Sequence, residues 1–200
     1  MLIFNYSNVI DPLLKDLRDF TVKFSKANRG DNILDICCGT GDQLFYFVKS
    51  GVEAVGIDIN PKMIEIAKKR KNRLGIKNIS FSVADATNIP FKDGLFSFAI
   101  ISLGLHEVEE SLRDKIISEM KRVVKKDGFL IFIDFKIPLP KGLIPFIIKM
   151  IEYSFGKKRF KSYIENKGLP AILGKNGLKI EESAYLMSGL IMAIKTRNSF

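Results

Sequence analysis

At 200 residues, with 46% apolar and 27% charged side chains, the chain has the makeup of one folded domain and not of a disordered segment. No apolar run reaches the roughly 18 to 20 residues that a membrane-spanning helix needs, and no secretory pattern opens the chain, so a cytoplasmic protein is expected. The net charge of +10 comes from lysines and arginines spread along the whole length, clustered only at Lys68 to Arg73 and Lys157 to Lys161, which argues against a dedicated nucleic-acid surface.

In chain order, a helix is expected from Pro12 to about Lys26, with Asp11 as its N-cap and Pro12 at the first helical position. Asn32 to Cys37 reads as a near-continuous apolar strand, and Gln43 to Ser50 as a helix stopped by Gly51. A second strand covers Glu53 to Asp58, and Asn60-Pro61 caps a helix to about Asn72, with Met63, Ile64, Ile66 and Ala67 toward the sheet. Ile79 to Val83 and Phe96 to Ser102 are strands, Leu112 to Lys125 is an amphipathic helix, and Gly128 to Phe135 is a fifth strand entered through Asp127-Gly128. Lys179 to Leu186 and Leu190 to Thr196 flank a short turn at Ser188-Gly189, the signature of an antiparallel hairpin at a sheet edge. Strands alternating with helices of this length imply parallel pairing through right-handed crossovers, hence an α/β, doubly wound sheet with helices on both faces.

The segment richest in chemistry is Ile33 to Asp42, where the first strand meets the next helix. Gly39 and Gly41 let the backbone turn sharply and approach a ligand lying beyond the strand ends. Asp58, 19 residues beyond Gly39 at the end of the second strand, can accept both hydroxyls of a ribose. A dinucleotide would call for a third glycine where this chain has Leu44, and its pyrophosphate would be repelled by Asp35 inside the first strand. The ammonium of a methionine moiety would instead be attracted. The adjacent pair Cys37-Cys38 has no metal-ligand or disulfide spacing and reads as two small buried residues.

Ile33-Leu34-Asp35-Ile36-Cys37-Cys38-Gly39-Thr40-Gly41-Asp42 resembles motif I of the class I S-adenosylmethionine-dependent methyltransferases. Gly56 to Met63 resembles their second-strand motif, Ala84-Asp85-Ala86 with Ile89-Pro90-Phe91 their adenine segment, Phe96 to Ser102 their fourth strand, and Lys126 to Leu130 the turn into the fifth. The resemblance implies a mostly parallel seven-stranded sheet in the order 3-2-1-4-5-7-6, with an antiparallel C-terminal hairpin. It makes residues 1–200 one methyltransferase domain, 1–30 a helical cap and 137–176 a substrate-side lid or insertion. It implies S-adenosyl-L-methionine as cofactor, with Asp58 on the ribose, Ile59 and Met63 beside the adenine, and Asp85 with Ala86 at the adenine amino group. Tyr6, Asp35, Cys37, Gly39, Thr40, Gly41, Ser102 and Leu103 complete the implied cofactor set. No metal ligand is implied.

Within that class, Asn5-Tyr6, Cys38 to Asp42 and Ser188 to Ala193 are similar to the ubiquinone/menaquinone-biosynthesis C-methyltransferases and their small-molecule relatives. His106-Glu107 stands where those enzymes commonly carry Arg-Asn, and the segment before the final hairpin is shorter than theirs. The expected acceptor is a small molecule, apolar or aromatic. Two alternatives are a nucleic-acid methyltransferase, against which stands the lack of an Asn-Pro-Pro-Tyr-like tetrapeptide, and a non-catalytic cofactor-binding protein. His106, the one histidine, is placed either to accept a proton from a substrate or to pack on the cofactor's methionine end. Leu143 to Phe155 is apolar around most of a helical circumference, which suits core packing, a lid, a partner subunit or, with the basic residues up to Lys161, peripheral contact with an anionic membrane.

Overall fold

Segments too continuously apolar to leave a face in water pair with one another at the centre of a sheet. In a computed structural model, which describes residues 6–142, 145–146 and 158–199, with side chains from Leu14 onward, β1 (Asn32–Ile36), β4 (Phe96–Ser102) and β5 (Val124–Phe135) are such segments, while β2 (Glu53–Asp58) and β3 (Ile79–Val83) continue the sheet to one edge. The hairpin strands are β6 (Ile180–Leu186) and β7 (Ile191–Arg197). The seven strands run in the order β3-β2-β1-β4-β5-β7-β6, with β1 to β5 parallel to their neighbours and β7 antiparallel to both β5 and β6. This is the doubly wound sheet expected from the alternation of elements.

Around the sheet lie α1 (Tyr6–Ser25), α2 (Asp42–Phe47), α3 (Pro61–Arg73), α4 (Glu110–Val123), α5, whose described part is 158–165, and α6 (Gly168–Lys175). The Asn60 side chain caps α3 by accepting the Lys62 N–H at 3.0 Å, with Pro61 in the first turn. Only Ile64 and Ala67 of α3 are buried, whereas Met63 and Ile66, expected on the sheet side, face outward. α1 begins at Tyr6, six residues ahead of Pro12, so neither the Asp11 cap nor a proline at the first helical position holds. A proline inside a helix costs about 3 kcal/mol. Burial of Leu17 and Phe24 further along, at about 1.5–3 kcal/mol each, outweighs that cost.

The fifth strand also starts earlier than Gly128. Val124 already pairs with Phe96, and a register shift then takes up the Asp127-Gly128 turn before Phe98 meets Phe129. The buried Asn198 side chain closes this bulge by donating to the carbonyls of Lys121 at 2.8 Å and Val124 at 2.7 Å. Most of 143–155, the apolar helix expected from the sequence, lies outside the described residues. No helix among the described residues is long and apolar enough to cross a membrane.

Candidate functional site

Strand order makes the site. β1 lies between β2 and β4, and the chain leaves it toward one side and returns on the other, so a crevice opens beyond the carboxyl ends of β1 and β4. Two non-glycine residues at those ends adopt left-handed backbone, Cys37 (φ 56°) after β1 and Leu103 (φ 53°) after β4. Such conformations cost on the order of 1–3 kcal/mol and persist where the surroundings fix a functional turn.

Asp58 closes the crevice on the β2 side. Its Oδ2 accepts the Gly39 N–H at 2.9 Å and its Oδ1 the Asn60 N–H at 2.8 Å, and each oxygen keeps a further lone pair for a ligand hydroxyl. Gly39 has φ 53°, and no described atom lies within 4 Å of where a Cβ would stand, so its backbone is open to the crevice. Gly41 is required for a different reason. A Cβ there would come within 2.4 Å of the Phe81 ring, so this glycine serves helix-to-sheet packing. The Thr40 hydroxyl donates to Asp42 at 2.8 Å, and Asp42 also pairs with Arg70 and Arg18, tying α2 to α3 and α1.

Asp35 is the exceptional residue. It sits on β1 at 2% exposure and accepts no hydrogen bond from any described residue. Burial, with the nearby charge of Asp58 added, pushes its carboxyl up to about 8. A buried carboxyl without a donor is costly unless a cation completes it. Burial, then the charges of Asp58, Asp35, Glu107 and Asp85, pushes the Cys37 thiol up to about 12. The cysteine is therefore an unreactive thiol, and its surroundings gather carboxylates from the ends of β1, β2, β3 and β4 around one place.

The adenine-side residues fall along the same rim. Ile59 is 71% exposed and Met63 36%, so both leave apolar surface open. Asp85 and Ala86 follow β3, where Ala84 N–H donates to the Asp58 carbonyl at 3.1 Å. Asp85 accepts the Thr87 N–H and hydroxyl, both at 2.8 Å, and these bonds hold its carboxyl below the ordinary range. Ser102 and Leu103 are half-buried at the end of β4. The Tyr6 side chain lies outside the described residues. Asp58→Ala should weaken binding of an adenosine ligand by about 1.5–3 kcal/mol, because charge-assisted hydrogen bonds are lost. Calorimetry giving unchanged affinity in the folded variant would remove Asp58 from the site.

His106 lies beyond β4 in a 3-10 turn, Leu105–Glu107, and is buried. Its ring touches Phe135, Phe160 and Tyr163 edge-on, and its Nδ1 is 2.6 Å from Asp134 Oδ1 on β5. The turn is held by Arg113 of α4, itself buried, which donates to the Leu105 carbonyl at 3.1 Å and to Ser162 and the Arg159 carbonyl on α5. Sequence reasoning missed Asp134 and Arg113. A lone acid inside the apolar run Phe129 to Phe135 was the available signal for the first. Nothing in one amphipathic helix distinguishes the second from a solvated arginine.

An apolar cleft of about 460 Å³ opens where β5 ends, lined by Ile137, Leu139, Pro140, Phe146 and Ile164 among others. It shares no residue with the Gly39 and Asp58 crevice. Of its lining, Ile137 lies two residues beyond Phe135 and Ile164 one beyond Tyr163, whose rings both meet His106.

Residues 13–196 match the family described as the ubiE/COQ5 methyltransferase family. The ubiquinone/menaquinone biosynthesis C-methyltransferase UbiE of Francisella tularensis subsp. tularensis is 34% identical over 157 residues, 72% of this chain and 60% of that protein. A demethylmenaquinone methyltransferase of a Geobacillus species is 31% identical over 154 residues, 74% of this chain and 65% of that one. The chain thus spans about 60% of the length of the curated relatives it first matches. In fold it is similar to a SAM-dependent methyltransferase from Aquifex aeolicus, at TM-score 0.68 and 23% identity over 90% of this chain and 88% of that one. It is similar also to the geranyl diphosphate C-methyltransferase of Streptomyces coelicolor, solved with S-adenosyl-L-homocysteine, at TM-score 0.68 and 14% identity over 93% and 78%.

Proposed function

Since the chain belongs to the ubiE/COQ5 methyltransferase family, we propose that it is an S-adenosyl-L-methionine-dependent methyltransferase acting on a small hydroxylated ring of the quinol type. The observation that carries this reading is the buried Asp35, which accepts no hydrogen bond from a described residue, beside the open backbone of Gly39 and the ribose-competent Asp58. Together they ask for a ligand that is cationic at one end and a nucleoside at the other. Asp35 would face the ammonium, and Cys37, Gly39, Thr40, Ser102 and Leu103 the methionine arm. Asp58 would hold the ribose, Ile59 and Met63 the adenine faces, and Asp85 with Ala86 the adenine edge. From the family resemblance Tyr6 joins the methionine arm. When bound, the cofactor supplies an electrophilic methyl group on a sulfonium, already a good leaving group, so alignment and a dry pocket can carry much of the acceleration.

For the acceptor, the names of the relatives supply the quinol class. The apolar cleft beyond β5 suits the uncharged part of such a molecule, and His106, on the turn after β4 and against the Phe135 ring of β5, is a candidate proton acceptor. Residues 1–30 would cap the crevice and 137–176 would cover the acceptor. Exposed Lys158, Arg159 and Lys161 stand on that covering segment, where they would favour contact with an anionic membrane carrying an apolar acceptor. The test is transfer of label from methyl-labelled S-adenosyl-L-methionine to hydroquinones with and without apolar tails, with RNA and DNA as controls. Label on a hydroquinone is expected. Label on nucleic acid alone, or on nothing in a protein that binds the cofactor, would contradict the proposal.

A further inference from the structure

The buried pair on the acceptor side has more order than packing requires. Three N–H groups converge on the Asp134 carboxylate, itself only 1% exposed. The His106 backbone N–H donates to Oδ2 at 3.0 Å, while Oδ1 takes the Phe135 N–H at 2.8 Å and the His106 ring at 2.6 Å. A carboxylate offers only acceptors, so the ring nitrogen facing it must be the one that carries hydrogen. Rings from two elements then set the imidazole plane. Phe135 stands 4.9 Å away at 67°, Phe160 5.9 Å away at 83°, and Tyr163 6.3 Å away at 71°. Tyr163 is fixed in turn by its hydroxyl on the Phe135 carbonyl at 2.9 Å.

We propose that Asp134 is a positioning residue that holds His106 as the Nδ1–H tautomer and so presents Nε2 as the base for an acceptor hydroxyl. The proposal rests on the methyltransferase reading above and adds to it an acceptor that must lose a proton. In the step, the acceptor O–H bond breaks, its electron pair stays on oxygen, and the proton bonds to Nε2. The result is an imidazolium against a carboxylate, a pair that leaves no unbalanced charge in the apolar surroundings. No oxidant or further reactant is needed. Among the described residues, the charged and titratable groups that face the ring include Asp134 from β5, Glu107 with Oε1 3.9 Å from Nε2, Tyr163 from α5, and Arg113 from α4, which lies over the Tyr163 ring. A Cβ on Gly104, the residue before the turn, would lie 3.2 Å from the Cys37 side chain, so the turn that carries His106 borders the cofactor crevice.

Because the chain has one histidine, a nitrogen-15 imidazole correlation spectrum of the ligand-free protein reads this tautomer without assignment. The expected wild-type spectrum at pH 8 is a neutral ring with hydrogen on Nδ1. A neutral Nε2–H ring, or an imidazolium persisting to pH 9, would overturn the proposal without any variant. In Asp134→Asn one amide oxygen cannot serve all three donors, so the single Nδ1–H signature should be lost. Its kcat with a hydroquinone acceptor should fall at least about 100-fold, with cofactor affinity and acceptor KM within about threefold. His106→Gln should match that fall. A purely structural Asp134 would lower the melting temperature and leave kcat per folded molecule intact, and that result would also overturn the proposal. Failure of the wild type itself to transfer methyl groups would count against the function proposed above, which the spectrum tests independently.

Discussion

Gly39→Val is expected to abolish measurable binding of S-adenosyl-L-methionine while the protein still melts in one cooperative transition. The two outcomes separate because the space above Gly39 is open. No described atom lies within 4 Å of a Cβ there, so the Cβ of a valine would meet no described side chain. The left-handed backbone, φ 53°, costs a branched side chain about 1–2 kcal/mol, enough to lower the melting temperature but not to unfold the chain. The isopropyl group instead fills the place where the backbone must approach the ligand, and affinity should fall more than about 100-fold. Gly56→Ala provides the contrast. Its added methyl would lie 2.7 Å from the Phe81 ring and 2.9 Å from the Cys38 sulfur, so it should lower stability first. A Gly39→Val protein that binds the cofactor normally would make the glycine-rich turn a folding device only.

Asp35→Asn should remove a pH dependence from both stability and binding. The carboxyl titrates at about 8 in the folded protein, far above its ordinary value. Between about pH 4 and pH 8 the folded state therefore holds a proton that the unfolded state has released. Stability is full below that window and falls as pH rises through it, by up to about 5 kcal/mol in the ligand-free protein. The asparagine variant, which carries no charge, should lose this decline and be the more stable protein at pH 8. Binding runs the other way. An ammonium beside Asp35 favours the ionised carboxylate, so cofactor binding should expel a proton and strengthen with rising pH, by close to tenfold per unit between pH 6 and 7.5. In Asp35→Asn that slope should vanish, with affinity at pH 7.5 down by about tenfold or more. Calorimetry in buffers of different ionisation enthalpy checks the proton release. A wild-type slope retained in the variant would mean that the ammonium binds elsewhere.

How far the sequence carries the fold depends on whether the deciding contact is local. β2, β3 and β4 occupy the residues read for them: β4, buried along nearly its whole length, announces itself by continuity, whereas β3, at the sheet edge, shows the alternation of a strand with one face open. The cap at Asn60-Pro61 is local chemistry and reads equally well. α6 does not. It holds Pro170, Gly168 and Gly174, which argue against a helix, and it forms because Leu169, Ile172 and Leu173 bury against the rest of the protein. Met63 and Ile66 look like core residues by type, yet Ile64 and Ala67 alone face the sheet, so the apolar pattern marked a wider stripe than the packing uses.

The site divides along the same line. Gly39 and Asp58 could be paired by spacing, and the structure joins them by one hydrogen bond of 2.9 Å. That no described residue donates to Asp35 is invisible in sequence, since it depends on what the neighbouring elements bring to it. The contact of His106 with Asp134 crosses 28 residues and two strands. Its only trace in the sequence is an acid where a strand buried on both faces should have none.

The most direct measurement is calorimetric titration of the unmodified protein at pH 7.5 with S-adenosyl-L-methionine and, separately, with NAD. A cationic nucleoside site built on Asp35, Gly39 and Asp58 predicts saturable one-site binding of the first, with release of protons, and no detectable binding of the second. Binding of NAD in preference to S-adenosyl-L-methionine would contradict the account, because Asp35, Gly39 and Asp58 are assigned to a ligand with a cationic methionine end, which NAD lacks.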